Sequence, residues 1–454
     1  MKAGLAWQET YAAKLVTAQE AVKAVRDGDF VVFPLGTGGE STSLGLALAG
    51  RMQELKGVAV FHAVANAPYP WFQGSGQPDA AFDVRCSYFG PLDRRFGQER
   101  RVDYVPWSYG TQDRQAERGR WGAYTKPDVF LVKVSPPDDE GWCSFGHSVW
   151  YSPTCSRNAR TIIAEVDPSF IRPCGDEARL HVSRIDYLVP GEPADLSRVQ
   201  FPPVPEEEAR AAEVIGAYTA ELVEDGDTLQ VGVGLASQAV LPFLEGKREL
   251  GVHSELVFTE MVEMAQTGVI TGARKSVNPG KVVGTCFVLW PGTERQRAAA
   301  AVIDGNPAFE FRDIGYIASV PVLAAHDNMV CINSGLEMDL TGQLCIDYLG
   351  GVPYSGTGGA LDFAVGANFS RGGRCVHALL STAQGGAVSR IVPQLATGSV
   401  ATVPRNYLDY VITEHGVASL QGKSLRQRAE ALIAIAHPDF RPDLRREAQR
   451  LFWP

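Results

Sequence analysis

The sequence predicts an α/β protein built as two similar halves, and three observations carry that prediction. Short apolar runs alternate with helix-like segments along all 454 residues. Several of the runs are continuously apolar, the pattern of sheets covered by helices on both faces. Two segments also recur in the same order. VRDGDFVVFPLG at 25–36 is echoed by VEDGDTLQVGVG at 223–234, and IDYLVP at 185–190 by LDYVIT at 408–413. One pair opens each half and the other closes it, which favours duplication over chance.

The elements follow in order. Residues 18–27 (AQEAVKAVRD) carry apolar side chains at helical spacing and end against Gly28. FVVFPLG, from Phe30 to Gly36, reads as a buried strand entering a Gly-rich turn. Further strands are expected at 58–64, 128–134, 161–166 and 185–190, then at 228–233, 316–320, 329–334, 375–380 and 409–414. Between the halves lie Pro190, Pro193, Pro202, Pro203 and Pro205. Proline removes backbone donors and fixes φ, so this stretch does not belong inside a sheet. The expected division is residues 1–190, a Pro-rich linker at 191–208, and residues 209–454.

Composition narrows the function. With a formal net charge of -10 the chain lacks the basic surface that a nucleic-acid partner requires. A phosphorylated cofactor stays compatible, since a few local cations and backbone N–H groups suffice. The eight cysteines show no CxxC spacing, so reduced structural thiols are expected and no metal. Lys2, Glu9, Lys14 and Glu20 interrupt the N-terminal stretch where a signal peptide would need an apolar core. No run approaches the ~18 apolar residues of a membrane span. A cytoplasmic protein with no membrane partner is expected.

Four stretches could carry chemistry. The turn Val231-Gly232-Val233-Gly234-Leu235-Ala236 could let backbone approach a ligand and the following helix aim N–H groups at an anion. A tight strand-to-helix turn explains it equally, and it lacks the full dinucleotide or P-loop pattern. Glu255, in His253-Ser254-Glu255-Leu256, falls at or near a strand terminus, where α/β proteins place ligands. A carboxylate there can attack an acyl group and form a mixed anhydride; spacing alone favours an ordinary surface or capping glutamate. The block LGGVPYSGTGG (349–359) would expose N–H groups in a cavity, as an oxyanion hole requires, or form a flexible loop. STAQGGA (381–387) is another strand followed by a small-residue turn.

Taken with VKVSPPDDEGWCSFG (132–146), GVHSEL (251–256), GVITGARKSVNPGKVVGT (268–285), INSGLEMDLTGQ (332–343), YSGTGGALDF (354–363) and LLSTAQGGAVSRIVPQL (379–395), these stretches resemble the acetyl-CoA hydrolase/transferase family. The resemblance is strongest to its 4-hydroxybutyrate and butyrate:acetate CoA-transferase branch. It implies two α/β halves of the CoA-transferase type with the active site in the cleft between them, and a homodimer or higher oligomer. It implies acyl-CoA and a small carboxylic acid as substrates, with Glu255 as nucleophile. It further implies Gly232, Gly234, Leu235 and Gln384 at the CoA, and Gly356, Gly358, Gly359 and Asn333 around the reacting thioester. The sequence departs from the family pattern at ELVFTE (255–260), at Gln384 where relatives carry Lys, and at GTGGEST (36–42).

The function expected is acyl-CoA:carboxylate CoA transfer by a ping-pong route through glutamyl intermediates. The competing readings are an acyl-CoA hydrolase using the same glutamate and a non-catalytic CoA-binding protein; a nicotinamide oxidoreductase fits less well for want of the full GxGxxG. Five of the eight tryptophans fall at Trp71, Trp107, Trp121, Trp142 and Trp150, accompanied by Tyr69, Phe72, Tyr88, Phe89 and Tyr109. These read either as core packing or as the wall of an apolar acyl pocket.

Overall fold

Asp27-Gly28-Asp29 and Asp225-Gly226-Asp227 fold into the same turn. Gly28 and Gly226 take φ of +75° and +88°, a region glycine enters without steric penalty. Their N–H groups donate to Lys56 O (3.0 Å) and Arg248 O (2.9 Å). Asp27 accepts from Lys56 N and Asp225 from Arg248 N, each at 2.9 Å. Asp29 accepts from Arg26 N (2.9 Å) and Asp227 from Glu224 N (2.6 Å). An arginine completes each turn: Arg160 reaches Asp29 at 2.8 Å and Arg374 reaches Asp227 at 2.6 Å. The sequence echo is therefore a repeated hydrogen-bond network.

The structure is a computed structural model that describes residues 6–36, 38–74, 76, 80–111, 124, 126–193 and 203–454. It divides into two units, Met1–Gln200 with Val283–Ile317, and Phe201–Val282 with Ala318–Pro454. Of the expected linker, residues 194–202 lie outside the described residues, and a helix begins at Glu206 and runs to Glu221.

The first unit holds a parallel sheet with strands in the order Asp103–Tyr104, Phe82–Cys86, Val58–His62, Phe30–Val32, Val129–Val134, Thr161–Val166 and Tyr187–Pro190. In the second unit Gly251–Val257, Thr228–Val231, Met329–Ser334, Arg374–Ala378 and Tyr410–Thr413 follow one another in parallel, and Gly416–Ser419 closes the edge antiparallel. Around the opening strand the two sheets follow the same course. The chain leaves the opening strand in one direction and returns on its other side, making a switch point beyond the carboxyl ends of Phe30–Val32 and of Thr228–Val231.

Two local patterns mislead for identifiable reasons. Residues 316–320 form no strand; they belong to the helical segments Ile314–Ile317 and Val320–Ala324. Asp313 accepts from Gly315 N at 2.9 Å and so caps the first, while Pro321 in the first turn of the second favours helical φ. Phe82–Cys86 is a strand without a strand's apolar run, because Asp83 and Arg85 interrupt it; they pair with each other at 2.6 Å on the outer face.

The aromatic-rich stretch supplies core. Tyr69, Trp71, Phe72, Phe89 and Tyr109 are at most 2% exposed, and the first four join one hydrophobic cluster. Tyr69 and Trp71 stack at 4.5 Å, and Trp71 meets Phe82 edge-on at 5.6 Å. Such rings spend their surface on one another, as core packing requires. Trp121 lies outside the described residues. All eight cysteines are free.

The paired turns differ in burial, and this gives a stability prediction. The side chain of Asp227 is 2% exposed and that of Arg374 15%, against 11% and 38% for Asp29 and Arg160. Removing one partner of a buried pair strands the other charge, at about 3 kcal/mol or more. Asp227→Ala is expected to lower the urea midpoint clearly and Asp29→Ala much less, read by equilibrium unfolding.

Candidate active site

Glu255 stands on the strand Gly251–Val257, which is buried along its whole length. A continuously buried strand carries polar residues only where they are held or used. Ser254 is held, its Oγ accepting from Val231 N at 3.3 Å. Glu255 is 9% exposed, and its Oε1 has no hydrogen-bond partner among the described residues. Burial pushes its carboxyl up to about 8, the charge of Asp362 adds to the rise, and the N–H of Gly359 opposes it.

The glycine block meets this carboxylate at one position. Tyr354 N (2.7 Å) and Ser355 N (3.2 Å) donate to Asp347 O, and Ser355 Oγ donates to Ile346 O at 2.6 Å, so the loop is pinned rather than loose. Gly356 is buried. Gly358 takes φ +53° with open space where a Cβ would stand. Gly359 is the N-cap of the helix Ala360–Phe369, and a Cβ on it would lie 2.8 Å from Glu255 Oε1 and 2.9 Å from the Phe363 ring. Of the three glycines, Gly359 is the one pressed against Glu255.

Asn333 and the GxG turn form a second group at the switch point. The amides of Asn333 and Gln230 exchange two hydrogen bonds, of 3.0 and 3.1 Å. A Cβ at Gly232 would fall 2.3 Å from Asn333 Oδ1, and one at Gly234 (φ +142°) 2.2 Å from Ser334 Oγ. These glycines are required by the protein's own side chains. Leu235 is 38% exposed and opens a helix of one turn, Leu235–Gln238. Within this helix Ser237 N donates to Ser334 Oγ at 3.2 Å. Gln384 is exposed at φ +54° in the turn between Thr382–Ala383 and Val388–Ser389.

Sequence reasoning passes over Asp362 and Gln230. Asp362 is 6% exposed in the first turn of the helix that Gly359 caps, and Gln230 is fully buried. A glutamine inside the apolar run TLQV is the available signal for the second. Among the described residues no group of three or more His, Cys, Asp or Glu side chains could hold a metal ion. No helix among them is long and apolar enough to cross a membrane.

Models of the N-terminal and C-terminal domains of acetyl-CoA hydrolase/transferase match residues 3–194 and 296–448. The chain is 39% identical over 446 residues to 4-hydroxybutyrate coenzyme A transferase of Clostridium kluyveri, covering 98% of this chain and 100% of that protein. The chain belongs to the acetyl-CoA hydrolase/transferase family. It is 37% identical over 447 residues to succinyl-CoA:cyclohexane-1-carboxylate CoA transferase of Geobacter metallireducens, covering 98% and 97% of the two chains. The crystal structure of RipA from Yersinia pestis superposes with a TM-score of 0.86 at 29% identity, covering 98% of this chain and 99% of that one. Relatives of this kind, 31 to 39% identical over nearly the full length, are CoA-transferases, and this member of the family is a CoA-transferase too.

Proposed function

We propose that this CoA-transferase moves CoA from an acyl-CoA to a small carboxylic acid through covalent intermediates on Glu255. The observation that carries the reading is a buried carboxylate whose Oε1 has no hydrogen-bond partner among the described residues and faces a glycine at a helix start. Once ionised, Oε1 attacks the thioester carbonyl; the C–S bond breaks, leaving an acyl-glutamyl anhydride and CoA thiolate. The thiolate then attacks Cδ of Glu255, the donor acid departs as its carboxylate, and a glutamyl-CoA thioester remains. An acceptor carboxylate runs the same steps backwards, restoring the Glu255 carboxylate and producing the new acyl-CoA.

Each attack gathers charge on an oxygen, and N–H groups of the Gly356–Gly359 loop, Gly359 foremost, would stabilise it. The Asn333 amide is assigned to the same acyl site. CoA is assigned to the turn Gly232, Gly234 and Leu235 and to Gln384, two of which, Leu235 and Gln384, are exposed. The test is to incubate the enzyme with acyl-CoA and no acceptor, trap with hydroxylamine or borohydride, and locate the mass change. The expected result is modification of Glu255 alone. An unmodified Glu255 in turning-over enzyme would sink the mechanism. Free thiol released at the same rate with and without added acetate would point to hydrolysis instead.

A further inference from the structure

We propose that Asp362 is a positioning residue for the transfer, its buried carboxylate driving Glu255 out of the free carboxylate state and into its covalent forms. The inference rests on the reading of Glu255 as the nucleophile.

The geometry is that of one helix start. Gly359 caps Ala360–Phe369 and abuts Glu255 Oε1, while Phe363 packs on the same glycine, fixing the helix end against the carboxylate. Asp362 comes one turn later and is 6% exposed. The positive end of a helix favours negative charge in the first turn, so of the two acids Asp362 is the better placed to hold it.

The other groups around Glu255 do not cancel this. Gln230 on the neighbouring strand and Asn333 on the strand beyond it are neutral amides bonded to each other. His253 shares Glu255's face of its own strand, two residues earlier, and its ring lies 4.6 Å from that of His326. Burial, opposed by a bond to Val322 O and assisted by Lys275, brings His326 down to about 4, so it is neutral at pH 7. Lys275 is itself 4% exposed, its Nζ donating to Val252 O and Lys281 O at 2.8 Å each. After burial, the charge of Asp362 is what raises Glu255 further.

The consequence follows from where charge goes. Free Glu255 carries a negative charge beside Asp362. In the anhydride and in the glutamyl-CoA thioester that charge has left, first on the thiolate and then on the departing acid. Repulsion therefore destabilises the free carboxylate and is relieved in each covalent state, which shifts the half-reaction toward the glutamyl-CoA adduct.

The test compares neutral and charged replacements. Asp362→Asn, and equally Asp362→Ser, is expected to move the midpoint of the kcat/KM pH profile about one pH unit toward acid. At pH 9 or above, where free Glu255 is ionised in wild type and variant alike, each is also expected to lower, about tenfold, the ratio of Glu255–CoA adduct to free enzyme at a fixed ratio of acyl-CoA to acid. Asp362→Glu, which keeps the charge, should hold the wild-type midpoint. Neutral variants whose midpoint and adduct ratio match the wild type overturn the proposal, as does an equal displacement of the midpoint in Asp362→Glu. Wild-type enzyme that forms no adduct at Glu255 would instead remove the nucleophile assignment beneath it.

Discussion

Glu255→Gln is expected to abolish CoA transfer and to make the folded protein more stable in mildly alkaline solution. The loss of activity follows because an amide oxygen cannot form the anhydride; a fall in kcat of at least about 10⁴-fold is expected, judged by the cost of deleting other covalent nucleophiles. The gain in stability follows from linkage. A carboxyl raised from 4.5 to about 8 favours its neutral form in the fold. Its stabilising contribution is complete below about pH 4.5 and is lost as pH rises to and through 8. Glutamine keeps the shape and carries no charge, so the variant escapes that loss.

With a tenfold change in proton affinity equivalent to ~1.4 kcal/mol, the difference at pH 9 is on the order of a few kcal/mol. Urea unfolding at pH 5 and pH 9 reads it: the two proteins should nearly coincide at pH 5 and separate at pH 9, with the variant more stable. The wild-type kcat/KM should rise with pH toward a plateau above about 8, as the ionised fraction of Glu255 grows. A variant that transfers CoA normally, or a stability gap independent of pH, would contradict the assignment of Glu255 as a buried, neutral-preferring nucleophile.

Gly359→Ala is expected to lower kcat about 10²-fold while leaving a folded enzyme. At φ -88° and ψ 7° alanine meets no backbone objection. The added methyl, however, would stand 2.8 Å from Glu255 Oε1 and 2.9 Å from the Phe363 ring, so the carboxylate or the helix start must move. Misplacing a reacting group by about 1 Å can cost about 10²-fold in rate. Gly358→Ala is the contrast: nothing lies within 4 Å of its Cβ, but φ is +53°. That variant should lose roughly 1–2 kcal/mol of stability, read from its unfolding midpoint, and keep most of its kcat. The reverse pattern, with Gly358 governing rate and Gly359 governing only stability, would show that the wrong glycine had been placed at the carboxylate.

Much of this is legible in the chain. The echoed Asp-Gly-Asp segments mark the opening strand of each sheet, because that turn needs a left-handed glycine and acceptor side chains on both flanks. Continuous apolar runs mark central strands such as Val129–Val134 and Met329–Ser334. Glu255 stands out as an acid in a stretch otherwise fit for burial. Patterns fail where a neighbour in space outweighs them. YIASV looks like a strand until Asp313 and Pro321 are seen to start helices around it. Phe82–Cys86 looks too polar for a strand until Asp83 and Arg85 are seen to pair outside.

By itself, the sequence determined the α/β class and the repeat, because periodicity and turn chemistry are local properties, and its family resemblance singled out Glu255 as the candidate nucleophile. Only the tertiary structure decided that Gly359 rather than Gly358 touches Glu255 and that Asp362 is buried one turn along the same helix. Those are distances between residues far apart along the chain, set by how strands and helix ends pack, and no local pattern encodes them.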